Sequence, residues 1–187
     1  MDERQKLLDI IRRRSFREKG AFKLASGRMS TIYFNLKPTM LDPEGARLIG
    51  AALAAKTAEL GADTVGGLEM GAVPLVSVTA AMSAVAGKPV RAIFVRKAAK
   101  DHGTQSLIEG LAEGEELAGR TIVVVEDVTT TGGSALKSVA ILRAAGALVT
   151  DVVTVLDREE GADEAFAAAG IRLHALFRKS EFAREQG

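Results

Sequence analysis

Hydrophobic and polar positions along this chain alternate between a helical and an extended period. Leu7, Leu8, Ile10 and Ile11 fall at helical spacing and predict an opening amphipathic helix. Ala21 to Leu24 and Thr31 to Leu36 read as strands around the turn Ser26, Gly27, Arg28. The next helix has Asp42 as N-cap, Pro43 at its first position and Glu44 in its first turn, and runs to about Leu60 before Gly61. A short strand near Asp63 to Gly67, a helix near Pro74 to Ala86 and a strand at Val90 to Val95 follow. After a polar stretch, Thr121 to Val125 is continuously β-branched, as in a central strand covered on both faces. Leu136, Val139, Ala140, Leu142 and Ala144 then recur at helical spacing. The tail repeats the alternation with a strand at Leu148 to Leu156, a helix near Asp163 to Ala169, a strand at Ile171 to Leu176 and a short helical end.

Such alternation predicts an α/β fold, a doubly wound and mainly parallel sheet flanked by helices. At 187 residues the chain fits one domain, able to bury roughly 70% of its unfolded surface. Composition narrows the function more than the fold. The absence of Cys excludes a disulfide framework and thiolate chemistry, and is compatible with a cytoplasmic location. With no Trp and one Tyr, an aromatic platform for nucleic acid is not expected. The 25 basic and 24 acidic side chains give no global field for a polyanion, so attraction for phosphate must be local. The first 20 residues mix acids with bases and carry no uninterrupted apolar core, which argues against a targeting signal. No apolar stretch reaches the ~20 clean residues of a membrane span.

The chemistry concentrates in VVVEDVTTTGGS, residues 123–134. Glu126 and Asp127 fall at the carboxyl end of the central strand, where open α/β sheets bind ligands. Thr130, Thr131, Gly132, Gly133 and Ser134 then lead into a helix. Glycines allow close backbone approach, the first helical N–H groups lack intrahelical partners, and hydroxyls add donors, so a phosphate fits this turn. Two carboxylates would repel that phosphate but can accept hydrogen bonds from vicinal ribose hydroxyls. Together they suit a ribose 5-phosphate; the bland alternative is a strand-turn-helix corner with a Thr N-cap and solvated acids. The segment lacks the GK[ST] ending of a Walker A loop and is not a GxGxxG turn.

This segment resembles the phosphoribosyl-pyrophosphate motif of the type I phosphoribosyltransferases, in the wording of orotate phosphoribosyltransferases. The resemblance covers most of the chain, because further segments match in the same order. It implies a single domain over 1–187, with residues 1–40 as an amino-terminal hood on an α/β core of 41–187. It implies transfer of the 5-phosphoribosyl group from 5-phospho-α-D-ribose 1-diphosphate to orotate, giving orotidine 5′-phosphate and diphosphate in pyrimidine biosynthesis. Mg²⁺ is the implied cofactor, held mainly by substrate oxygens rather than by protein ligands. Glu126, Asp127, Val128, Thr129, Thr130, Thr131, Gly132, Gly133 and Ser134 are the implied donor contacts, with Thr130 also near orotate.

The polar stretch RKAAKDHGTQSLIE, residues 96–109, gathers Arg96, Lys97, Lys100 and His102 between two strands. By itself it reads as a functional or a merely solvated loop. RKAAKDHG is similar to the family's mobile catalytic loop, which closes over the donor pyrophosphate from the neighbouring subunit of a homodimer. Lys100, His102 and Asp127 are then the implied catalytic residues. FKLASGRMSTIYFN, residues 22–35, resembles the pyrimidine-facing hood, with Ala25 where one version of the pattern has Lys. Tyr33 and Phe34 either flank a flat ring or belong to the core. GGLEMGAVP, residues 66–74, has Gly71 where some relatives have Lys, so this turn would meet pyrophosphate through its backbone. In LDR, residues 156–158, Arg158 is the implied orotate contact, its planar fork suiting a flat acid. An ion pair with Glu159 or Glu160 is the alternative. His174 reads as structural. A purine or other pyrimidine phosphoribosyltransferase, and a nucleic-acid-binding regulator on the same fold, are the competing functions.

Overall fold

The structure, a computed structural model, describes residues 2–23, 29–98 and 106–182. Helix α1 (Glu3–Arg14) buries the four predicted apolar residues, with Glu3 in its first turn and Arg12, Arg13 and Arg14 in its last, as the helix dipole favours. Strand β1 (Phe16–Lys23) follows almost at once and pairs antiparallel with β2 (Met29–Phe34). It begins five residues earlier than Ala21. Arg17 and Glu18 hide the alternation, and the strand is set by its partner: Phe16 lies opposite Phe34, with ring centroids 5.2 Å apart. The predicted turn at 26–28, and Ala25, lie outside the described residues.

A one-turn helix, α2 (Lys37–Met40), is too short for periodicity to reveal. Helix α3 (Pro43–Glu59) starts as predicted, the Asp42 carboxylate accepting from the N–H groups of Glu44 (3.2 Å) and Gly45 (3.1 Å). Then come β3 (Thr64–Gly66), α4 (Ala72–Val85), β4 (Arg91–Ala92), β5 (Phe94–Val95), β6 (Ile108–Glu109), β7 (Thr121–Thr129), α5 (Gly133–Ala144), β8 (Leu148–Asp157), α6 (Ala162–Ala168), β9 (Arg172–Arg178) and a 3-10 turn, Lys179–Phe182. The strand expected over Val90 to Val95 is divided. Its first part pairs with β3 and its second pairs antiparallel with β6, although Val95 N–H still donates to the Gly67 carbonyl at 2.8 Å. The break is a change of partner, which no local pattern encodes. Strand β7 is longer than its apolar run and carries the acid pair within it.

Five parallel strands form the main sheet in the order β4-β3-β7-β8-β9. Successive residues of β7 serve opposite faces, as the strand period requires. Val123 and Val125 join the core that holds Leu7, Ile49, Leu53 and Leu75 of α1, α3 and α4. Ile122 and Val124 join Val139, Leu142 and Phe166 of α5 and α6. Strand order reverses between β3 and β7, since the chain first crosses to β4 on one side and later to β8 and β9 on the other. A crevice opens at such a reversal, at the carboxyl ends of the two strands.

The β1–β2 hairpin is fastened to this sheet by aromatic rings. Phe34, 6% exposed, meets Phe182 edge-on at 5.2 Å, and Phe182 meets Phe177 of β9 at 6.3 Å. Phe34 is therefore core, whereas Tyr33 is 43% exposed. Among the described residues no helix is long and apolar enough to cross a membrane.

Candidate functional site

The crevice between β3 and β7 holds a pocket of about 350 Å³ lined by Lys37, Leu68, Glu69, Met70, Gly71, Lys97, Glu126, Asp127 and Ser134. Four of the sequence-predicted residues, Lys97, Glu126, Asp127 and Ser134, thus meet in one place. Two glycines let the strand ends approach this closely. A Cβ on Gly67 would lie 2.4 Å from the Val125 carbonyl oxygen, and one on Gly71 would lie 2.7 Å from Asp127 Oδ1. Gly71 is the N-cap of α4, so Asp127 sits against a helix N-terminus, whose partial positive charge favours a carboxylate.

Glu126 is in a harsher place. Its Oε2 is buried with no hydrogen-bond partner, and burial, reinforced by the neighbouring Asp127 charge, pushes its carboxyl up to about 8, against the opposing pull of Lys97. A buried acceptor without a donor is costly unless a ligand supplies one. Vicinal hydroxyls are such donors.

Beyond the strand, Thr130 and Thr131 lead to Gly132, whose φ of +81° and whose approach to Phe166 exclude a side chain; a Cβ would lie 2.9 Å from the ring. The turn is thereby held against the core while Thr131, Gly133 and Ser134 remain exposed at the start of α5, an anion site by its free N–H groups. The strand's alternation splits the other two motif residues. Val128 is half-buried against the α1–α3–α4 core, and Thr129 is buried. Thr129 ends the strand with its hydroxyl buried and without a hydrogen-bond partner.

Arg96 is drawn toward Glu109 (3.7 Å) and donates to the Ala98 carbonyl (3.2 Å). Lys100 and His102 lie outside the described residues. Arg158 stands at the carboxyl end of β8 and is 5% exposed. Its guanidinium pairs with Glu160 at 3.0 Å and reaches the Ile32 carbonyl of β2 at 3.4 Å, fastening the hairpin to the sheet end. The neighbouring Asp157 is buried, and burial raises its pKa even though it accepts from Glu159 N–H at 2.9 Å and from Arg178 at 3.1 Å. His174 bonds Asp151 at 2.7 Å, which fits a structural role. Burial pulls Asp151 up, but hydrogen bonds from Arg172, His174 and Thr150 outweigh it and hold the carboxyl below its ordinary value.

Sequence reasoning missed Lys37 and the side chain of Glu69. Lys37 opens a helix of one turn, which leaves no periodic signal, and Glu69 lies in a turn that the sequence marks by its glycines. Among the described residues no cluster of three or more His, Cys, Asp or Glu could by itself hold a metal ion.

Comparison with known proteins identifies the relatives of this arrangement. Residues 40–168 match the model of the phosphoribosyl transferase domain. The chain is 58% identical, over 96% of both chains, to an orotate phosphoribosyltransferase from Bradyrhizobium sp. (strain ORS 278). The chain belongs to the orotate phosphoribosyltransferase family. Crystal structures of the family superpose on it closely. The enzyme of Mycobacterium tuberculosis H37Rv in complex with Fe(III) dicitrate gives a TM-score of 0.83 at 37% identity, covering 98% of this chain and 100% of that one. The same enzyme in complex with 5-phospho-alpha-D-ribosyl 1-diphosphate gives 0.78 at 34% identity, covering 97% and 99%.

Proposed function

We propose that this protein transfers the 5-phosphoribosyl group of 5-phospho-α-D-ribose 1-diphosphate to orotate, yielding orotidine 5′-phosphate and diphosphate in pyrimidine biosynthesis. The observation that carries the reading is the strand end at the sheet's reversal, where Glu126 and Asp127 face a pocket beside the glycine turn and the start of α5. The bond from ribose C1 to the diphosphate oxygen breaks, its electron pair leaving with diphosphate, and a bond from C1 to an orotate ring nitrogen forms as that nitrogen's N–H breaks and the proton is released. The sugar passes through an oxocarbenium-like state, so catalysis is chiefly positional and electrostatic.

In this reading residues 130–134 hold the 5-phosphate by N–H groups and hydroxyls, while Glu126 and Asp127 accept from the ribose hydroxyls. Val128 and Thr129 contribute backbone. Lys97, with Arg96, Lys100 and His102, neutralises the departing diphosphate. Thr130 and Arg158 face orotate, Arg158 held in place by Glu160 and the hairpin. Mg²⁺ would fit a pocket with two adjacent carboxylates and, among the described residues, no protein cage: it would be held mainly by substrate oxygens, with Glu126 and Asp127 acting through hydroxyls or water, and would supply charge neutralisation. Residues 1–40 serve as a hood over the 41–187 core in a single cytoplasmic domain, and the 96–109 segment is shared across the interface of a homodimer, Lys97 staying in its own chain's pocket while Lys100 and His102 serve the neighbouring one.

Orotate-dependent diphosphate release tests the reaction, with adenine, hypoxanthine and uracil as competing acceptors; release with adenine or hypoxanthine instead of orotate overturns it. Chelation of divalent cations abolishes release and Mg²⁺ restores it. Lys100→Ala lowers turnover by about 2–4 kcal/mol, the scale of a lost preorganised donor, with little change in orotate affinity. Mixing the impaired Lys100→Ala and Asp127→Asn proteins raises activity above that of either alone, since each mixed dimer has one site with both defects and one with neither. No recovery after demonstrated subunit exchange assigns the segment to its own chain.

A further inference from the structure

Lys97 is the one cation of the 96–109 segment that lines the pocket among the described residues, and its peptide group is held from two sides. Its N–H donates to Glu69 Oε1 at 2.8 Å, from the turn after β3. Its carbonyl accepts from Lys137 Nζ at 3.2 Å, from the second turn of α5. Glu69 is itself anchored, its own N–H donating to the Val95 carbonyl at 2.8 Å. Neither side chain is needed by the chemistry above, and a carboxylate in a pocket for a polyanion is unfavourable unless it has another task.

We propose that Glu69 and Lys137 are positioning residues for the phosphoribosyl donor: by gripping the N–H and the C=O of Lys97 they aim its ammonium into the pocket. Each grip comes from an element that itself borders the donor, the β3–α4 turn and the phosphate helix α5. The inference rests on the reading of the pocket as a donor site. It follows that Glu69 works as a hydrogen-bond acceptor, and its charge is incidental. Lys137 works through a carbonyl rather than through phosphate, although it stands on the phosphate helix.

The test is calorimetric titration of the intact protein with 5-phospho-α-D-ribose 1-diphosphate and Mg²⁺, alongside thermal melting and turnover with orotate. Glu69→Leu and Lys137→Met each weaken donor binding roughly threefold to tenfold, the worth of one hydrogen bond, with melting temperature and orotate KM unchanged. Glu69→Gln, whose amide oxygen still accepts, recovers most of what Glu69→Leu loses. The double variant Glu69→Leu/Lys137→Met loses less than the product of the single effects, because both grips hold one peptide group. Unchanged donor affinity in both single variants overturns the proposal, as does a Glu69→Gln protein as weak as Glu69→Leu. Multiplicative losses in the double variant would also overturn it. Donor binding without transfer to orotate sinks the acceptor assignment and leaves this inference standing.

Discussion

The two strand ends that meet in the pocket are built differently. The end of β7 belongs to a nine-residue strand at the centre of the sheet, and it presents its chemistry as side chains: two acids in the strand, then a turn fixed by Gly132 against Phe166. The end of β3 belongs to a three-residue strand, and it presents chiefly backbone, brought close by Gly67 and Gly71 and tied to the next strand through Glu69. The first end is rigid by packing and carries the cost of a buried, unpartnered carboxyl at Glu126. The second avoids that penalty and depends on hydrogen bonds between segments. Perturbing the β7 end should therefore cost stability or chemistry outright, and perturbing the β3 end should shift affinity by small steps.

Gly132→Ala gives the largest effect. An alanine at φ +81° is strained and its methyl meets a fully buried ring, so stability falls by about 2–4 kcal/mol. Urea melts with and without donor measure it; a loss below the strain term alone would mean that the turn relaxes and is softer than its packing implies. Next is Asp127→Asn, nearly isosteric but no longer an acceptor-only group. Donor affinity and kcat/KM fall about 10- to 100-fold, as for a hydrogen bond to a charged group. Calorimetry and turnover that match the unmodified protein would remove Asp127 from ribose binding.

Glu126 offers an effect graded with pH, smaller than these over any one pH unit. Its native carboxyl titrates near 8, well above the unfolded value, so between those two points the native state holds a proton that the unfolded state has lost. Stability is then greatest below the unfolded value and declines as pH rises toward about 8, by up to about 1.4 kcal/mol per pH unit. Glu126→Gln flattens that slope; an identical pH profile in the variant would show that the acid is well solvated. The smallest effect belongs to the β3 end. Gly71→Ala only displaces the Asp127 carboxylate, a movable group, and weakens donor binding by less than about tenfold with an unchanged melting curve.

What could be read from the chain follows the same division. The acid pair, the glycine turn and the α5 pattern were legible because residue identity is the chemistry there, and the Asp42 cap was legible because its partners are two and three residues away. The β3 end was legible only as a glycine turn offering its backbone to pyrophosphate, since the rest of its work is done by groups whose partners are remote. Glu69 meets a residue 28 positions on, and Arg158 meets Ile32 across 126 positions. Arg158 was rightly placed at the sheet end, but nothing local told of the hairpin it fastens. The break in Val90 to Val95 was hidden for a related reason, because β6, which recruits its second half, is only two residues long.

That short ladder has an evolutionary consequence. Val95 pairs with Ile108, and Arg96 N–H donates to the Leu107 carbonyl at 2.8 Å, so the chain is stapled at the base on both sides of residues 97–106. Once a base is closed, doubling the length between its ends costs only about 0.6 kcal/mol. The length of that span can therefore drift by insertion or deletion with little debt to the sheet beneath, provided Lys97 keeps its two grips and Lys100 and His102 keep their proposed part in the chemistry.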